Sequence, residues 1–170
     1  CIMYHLYHTP AFVIGSSPRG EGSKVFSLFT KELGLIRTMA TSVREERSKL
    51  RYSLQDFSYS EVTLVRGREF WRLTRAELRF SVAVELCWHT SALCMLGRIF
   101  KLLERLLTGE EKNEPLFAAV LESIRFVSGT SDAKLVEGVE VILVLRVLYL
   151  LGYLAPREEF GSFLRNSSRW

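Results

Sequence analysis

Apolar residues alternate with polar ones over short stretches in the first half of the chain and recur every three to four positions in the second. Residues 8–16 are apolar in the middle and close on the turn cluster Gly15-Ser16-Ser17-Pro18. Residues 24–30 place Val25, Phe26, Leu28 and Phe29 on a strand that is half to fully buried. Gly34 allows a tight turn into a third strand over 35–41. Residues 57–66 are rich in β-forming side chains, and their alternation breaks near Glu61, as a bulge or a barrel bend would break it. Gly67-Arg68-Glu69 reads as a hairpin-like turn into a fifth strand over 70–74.

A short helix is expected between the third and fourth strands, over 44–54. The period changes near Arg75-Ala76-Glu77. Leu93, Leu96, Phe100, Leu103 and Leu107 form one helical stripe, which Ile99, Leu102 and Leu106 widen and Thr108-Gly109 ends. Asn113 with Pro115 in the first turn starts the next helix, which runs to about Val127 and stops at Gly129. Ser131 or Asp132 caps a last long helix that fades at Gly152 and Pro156. The fold class is therefore α+β: a five-stranded barrel over 1–76, then a helical bundle over 77–170. Five strands with a helix between the third and fourth is the arrangement of an OB-fold, a barrel used to bind nucleic acids.

Composition sharpens this picture. Of the 170 residues, 48% are hydrophobic and 25% charged, which suits a folded chain and not a disordered one. Residues 1–80 carry 13 Lys and Arg against 8 Asp and Glu, whereas residues 81–170 carry 10 against 11. The cationic surplus thus belongs to the barrel, where it suits a polyanion. Cys1, Cys87 and Cys94 are too few and too oddly numbered for a disulfide framework, and they fit a reducing cytoplasm. No signal peptide is recognised. The most apolar segment, 139–154, is broken by Glu140 and Arg146 and falls short of the roughly 20 residues of a membrane span. It is expected to be a buried helix.

Nothing in the chain pairs a nucleophile with a base, and neither an enzyme nor a cofactor is expected. The glycines of Pro18-Arg19-Gly20-Glu21-Gly22-Ser23-Lys24 lack phosphate-loop spacing and precede a strand, so this segment reads as a structural turn. Cys87, His89 and Cys94 fall short of the four ligands of a structural zinc site. On one helix His89 would also point about 200° away from Cys87. Both cysteines are expected to be buried. The basic residues carry more. Arg37 lies on the third strand, Arg44, Arg47, Lys49 and Arg51 crowd the following helix, and Arg66, Arg68, Arg72, Arg75 and Arg79 line the last hairpin and its exit. Cations of this kind track phosphates while rings stack on bases, and Tyr52, Tyr59, Phe70 and Trp71 are the candidate rings. In the last helix, Arg146 sits among Val141, Leu145 and Tyr149. It either pairs with an internal carboxylate such as Glu85 or rims a groove that takes a carboxylate from a partner.

The order of motifs resembles the N-terminal domain of the RecO family of bacterial recombination mediators. The motifs are Tyr7-His8-Thr9, Pro18-Arg19-Gly20-Glu21, Ser27-Leu28-Phe29-Thr30-Lys31-Glu32-Leu33-Gly34, Arg47-Ser48-Lys49-Leu50, Leu54-Gln55-Asp56-Phe57, Leu64-Val65-Arg66-Gly67-Arg68 and Arg75-Ala76-Glu77. Leu150-Leu151-Gly152-Tyr153-Leu154-Ala155-Pro156 resembles a later family signature with one extra residue before the proline. Many members follow that signature with a four-cysteine zinc module. No cysteine follows Cys94 here, so that module is expected to be absent. The resemblance implies binding of single- and double-stranded DNA and annealing of complementary strands. It also implies cooperation with RecR, contact with the C-terminal tail of single-stranded DNA-binding protein, and assistance in loading RecA, in the bacterial cytoplasm at the nucleoid. The competing expectation is an adaptor whose DNA affinity has decayed and which keeps only its protein contacts.

Overall fold

In the computed structural model, which describes residues 5–20, 23–40, 49–155 and 161, the alternating half of the chain becomes five strands. These are β1 (Leu6–Arg19), β2 (Ser23–Thr30), β3 (Gly34–Ala40), β4 (Ser58–Val65) and β5 (Trp71–Ser81), with helix α1 (Lys49–Ser53) between β3 and β4. They close in the order β1-β2-β3-β5-β4. Every pairing is antiparallel except β3 with β5. This is the expected OB-fold barrel. Ala11, Val13, Phe26, Leu28, Ile36, Val62, Leu64, Trp71 and Leu73 fill its interior. Because side chains alternate across a strand, this set fixes which residues face outward.

The parallel closure is short: among the described residues it pairs Thr38 with Trp71 and Met39 with Arg72. The buried Thr38 hydroxyl reinforces it by donating to the Trp71 carbonyl at 2.9 Å. Register shifts between β4 and β5 fall at Tyr59/Ser60 and Thr63/Leu64, on either side of Glu61, where the alternation was expected to break. The extra residues, Arg79 and Thr74, lie on β5. They explain why β5 outruns the expected strand over 70–74. Each insertion resets the period, and its exposed charges resemble a loop. The expected domain boundary at 76 consequently lies inside β5, and the chain divides after Val84 instead. The helix expected over 44–54 is seen as Lys49–Ser53, and residues 41–48 lie outside the described residues.

Several of the sequence motifs prove to be backbone devices. Thr9 Oγ1 accepts from the Glu32 amide at 3.2 Å, and Thr30 Oγ1 accepts from the Leu33 amide at 3.0 Å while donating to the Gly34 carbonyl at 2.9 Å. Gly34 takes a φ of +68°, and a side chain there would run into the Glu111 carbonyl oxygen. The β2–β3 turn is thus fixed by residues of the opening Tyr-x-Thr and of the Leu-Phe-Thr-Lys-Glu-Leu-Gly run.

The chain forms two units. The first comprises Cys1–Val84 with Leu107–Lys112, and the second Glu85–Leu106 with Asn113–Trp170. After the short helix α2 (Val82–Glu85), the second unit holds α3 (Thr90–Leu106), α4 (Glu114–Ser128) and α5 (Ala133–Leu150). Asn113 Oδ1 caps α4 by accepting from the Leu116 amide at 3.1 Å, and Asp132 Oδ1 caps α5 by accepting from Lys134 at 2.9 Å. Gly152, at φ +80°, closes α5 with its amide on the Tyr149 carbonyl at 3.0 Å, and the Tyr153 amide reaches Leu148 O at 2.8 Å. This gives the Leu-Leu-Gly-Tyr run a helix-ending role; Pro156 lies outside the described residues. Arg98 of α3 forks onto Glu140 of α5 with two bonds of 2.6 Å, which raises the Arg98 pKa above its ordinary value.

Two expectations are corrected in this unit. Arg146 is 1% exposed, so it cannot rim a groove for a partner's tail. Burial pushes its pKa down, and attraction to Glu122 of α4 opposes that shift. The alternative carboxylate, Glu85, is exposed. Cys87 and Cys94 are both exposed. Helix α3 begins at Thr90, which leaves Cys87 in the preceding turn. Cys94 falls on the side opposite Ala92, Ile99 and Leu103, which are buried.

Candidate nucleic-acid interface

The outward face of β2 and β3 is built without acid, since neither strand contains Asp or Glu, and of the acid-free strands β1, β2 and β3 it is β3 that carries an exposed cation, Arg37, in its middle. Phe26, Leu28 and Ile36 point inward, so Ser27, Arg37 and Met39 point outward. Ser27 pairs with Gly15 of β1 and with Arg37 of β3. Met39 pairs with Val25 on one side and Arg72 of β5 on the other. Arg37 and Arg72 are exposed, lie on adjoining rows of this face, and form no ion pair among the described residues.

Two connections border this face. The end of β1 carries Arg19, with Gly20 in the turn that follows, and the β4–β5 connection carries Arg66 to Phe70. They meet where Arg19 Nη2 lies 3.6 Å from Glu69 Oε2 and the Arg19 guanidinium carbon sits 4.5 Å above the Phe70 ring. In OB-folds these two loops flank the strand-2 and strand-3 face that takes oligonucleotides. The sequence reading left Arg19 out of the site because its Pro-Arg-Gly turn looked purely structural. Its signal was a lone cation at the tip of the first hairpin.

The expected cations divide into groups. Arg37 on β3, Arg68 in the β4–β5 connection and Arg72 at the start of β5, beside Met39 of β3, are all exposed. Arg66 is held by Glu110 at 2.9 Å and lies 5.3 Å above the Trp71 ring. Arg75 and Arg79 lie on the outer β4–β5 wall, where Glu77 is 3.7 Å and 3.5 Å away respectively and Glu61 is 3.9 Å from Arg79. That wall is charge-balanced and lies apart from the acid-free face. Arg44 and Arg47 lie outside the described residues, as do the side chains of Lys49 and Arg51.

The rings divide as well. Trp71 is 3% exposed and points into the core, with its Nε1 donating to Glu110 Oε1 at 2.9 Å and Tyr7 edge-on at 5.0 Å. It has no face to offer a base, and the stacking expected of it is withdrawn. Tyr59 is half-buried, with Phe12 and Phe80 each 4.8 Å away. Phe70 is half-buried beneath Arg19. Tyr52 on α1 is 63% exposed.

Among the described residues no group of three His, Cys, Asp or Glu could hold a metal ion. No described helix is long and apolar enough to cross a membrane.

Residues 3–82, the whole barrel, match the family described as Recombination protein O N terminal. The chain is 32% identical over 152 residues to a DNA repair protein RecO of Pelotomaculum thermopropionicum, covering 87% of this chain and 56% of that protein. A DNA repair protein RecO of Klebsiella pneumoniae is also 32% identical over 152 residues, covering 88% of this chain and 58% of its own length. One from Dehalococcoides mccartyi is 30% identical over 136 residues, at 77% and 51%. The chain thus spans about half the length of the curated relatives it matches. A five-stranded barrel matched along its whole length by the Recombination protein O N-terminal family, and similarity that runs on into the helices, place this chain in the RecO family.

Proposed function

We propose that this protein is a DNA repair and recombination mediator that works by binding, without bond chemistry. Its barrel takes single- and double-stranded DNA on the β2–β3 face. The observation that carries this reading is the acid-free wall bearing Arg37 and Arg72, bordered by the Arg19 and Arg68 loops. Guanidinium groups track the phosphates without reading sequence, as gap and end repair requires. The curated relatives named as DNA repair proteins support the same role. By extension from the family, the protein anneals complementary strands. It also cooperates with RecR and the tail of single-stranded DNA-binding protein to load RecA, in the cytoplasm at the nucleoid.

A second reading has its own support. Arg19, Arg66, Arg75 and Arg79 each face a carboxylate within 4 Å, so much of the barrel's charge is already spent internally. On that reading the protein is an adaptor that keeps protein contacts and little DNA affinity. An annealing assay separates the two. Complementary oligonucleotides coated with single-stranded DNA-binding protein should anneal faster when the protein is added. No acceleration, together with retained binding to the coating protein, would favour the adaptor.

A further inference from the structure

Glu110 lies outside the barrel in sequence but belongs to the barrel unit, within the segment Leu107–Lys112. Its two carboxylate oxygens are divided between two donors. Oε2 takes Arg66 Nη1 at 2.9 Å and Oε1 takes the Trp71 indole at 2.9 Å. The segment is anchored independently of that carboxylate. Lys112 Nζ lies 2.6 Å from Glu32 Oε2, the Glu111 backbone sits against Gly34, and Leu107 is buried. Arg66 and Glu110 remain 64% and 40% exposed in their side chains, so solvent, or an anion from solvent, reaches the pair.

We propose that the Glu110 carboxylate occupies the place on Arg66 that a nucleic-acid phosphate takes, so that strand binding exchanges Glu110 for a phosphate. The inference rests on the reading of the barrel as a DNA-binding surface and names a residue that sets its affinity. A carboxylate and a phosphate present the same acceptor oxygens to a guanidinium. An exposed ion pair is weak enough to exchange. Arg66 opens the β4–β5 connection that borders the acid-free face, so a strand lying there passes the pair. Glu110 therefore lowers the affinity of the barrel, because a strand must displace it from Arg66.

The test is DNA affinity against salt for wild type, Glu110→Gln, Arg66→Ala and the double variant, with thermal melts to confirm folding. Gln keeps an acceptor for the Trp71 indole and removes the charge. Glu110→Gln should bind oligothymidylate about three- to tenfold more tightly at low salt, because the phosphate then meets Arg66 without displacing a carboxylate. Arg66→Ala should lose that gain, and the double variant should match Arg66→Ala. In wild type, the Trp71 indole N–H resonance should shift as oligonucleotide saturates the protein, which gives a readout that needs no variant. Glu110→Gln binding equal to a salt-sensitive wild type would overturn the proposal, as would a gain that survives Arg66→Ala or an unmoved Trp71 indole at saturation. If neither wild type nor Glu110→Gln binds DNA in a salt-sensitive way, the barrel's DNA reading falls first and takes this inference with it.

Discussion

Arg37 and Arg72 matter more than their neighbours because no carboxylate among the described residues cancels them. A phosphate contact by either residue releases counterions, so Arg37→Ala and Arg72→Ala should each flatten the salt dependence of single-strand binding by about 0.7 in slope. Arg75→Ala and Arg79→Ala, on the wall shared with Glu61 and Glu77, should change it far less. Fluorescence anisotropy with a labelled oligonucleotide measures all four. The sequence showed every one of these arginines but not which had partners across the fold: Glu61 meets Arg79 from the neighbouring strand, and Glu110 meets Arg66 from far along the chain. Arg146 is the opposite kind of cation. At 1% exposure, truncation to Ala would leave Glu122 and the surrounding bundle with an uncompensated charge. Arg146→Ala should cost about 3–5 kcal/mol in chemical denaturation. A loss below about 1 kcal/mol would show that the guanidinium contributes little to the packing of α4 and α5.

At the level of elements, the signals that survived were those written in local chemistry. Asn113 and Asp132 announce helix starts that the structure places at Glu114 and Ala133. Strand β5 was less legible because its bulged residues, Thr74 and Arg79, shift the alternation. Cys87 and Cys94 were misread because a helix was assumed to run through both, whereas α3 begins at Thr90. The β2–β3 turn yields an element-scale prediction. Gly34 combines a φ of +68° with a close approach to the Glu111 backbone, so Gly34→Ala strains the turn and pushes Leu107–Lys112 away. The variant should lose at least about 1–2 kcal/mol and lower the melting temperature. A melting temperature equal to wild type would mean that the segment yields without consequence.

For the molecule as a whole, the uneven charge is the feature that sequence and structure share. The surplus counted over residues 1–80 belongs to the barrel unit, and Arg37 on β3 and Arg72 at the start of β5 form no ion pair among the described residues. The family motifs, by contrast, mark how the barrel is built. Thr9, Thr30 and Gly34 hold a turn, and Tyr7 packs on Trp71. They identify the fold strongly and the binding residues hardly at all, which is why the site needed the structure. The central claim is that the acid-free face binds DNA through phosphate contacts. Its most direct test is the affinity of the protein for a labelled oligothymidylate at about 50 and about 200 mM salt. Two to three contacts predict that log K falls against log salt with a slope of about −1.4 to −2.1. An affinity that stays flat between the two salt concentrations would contradict the claim.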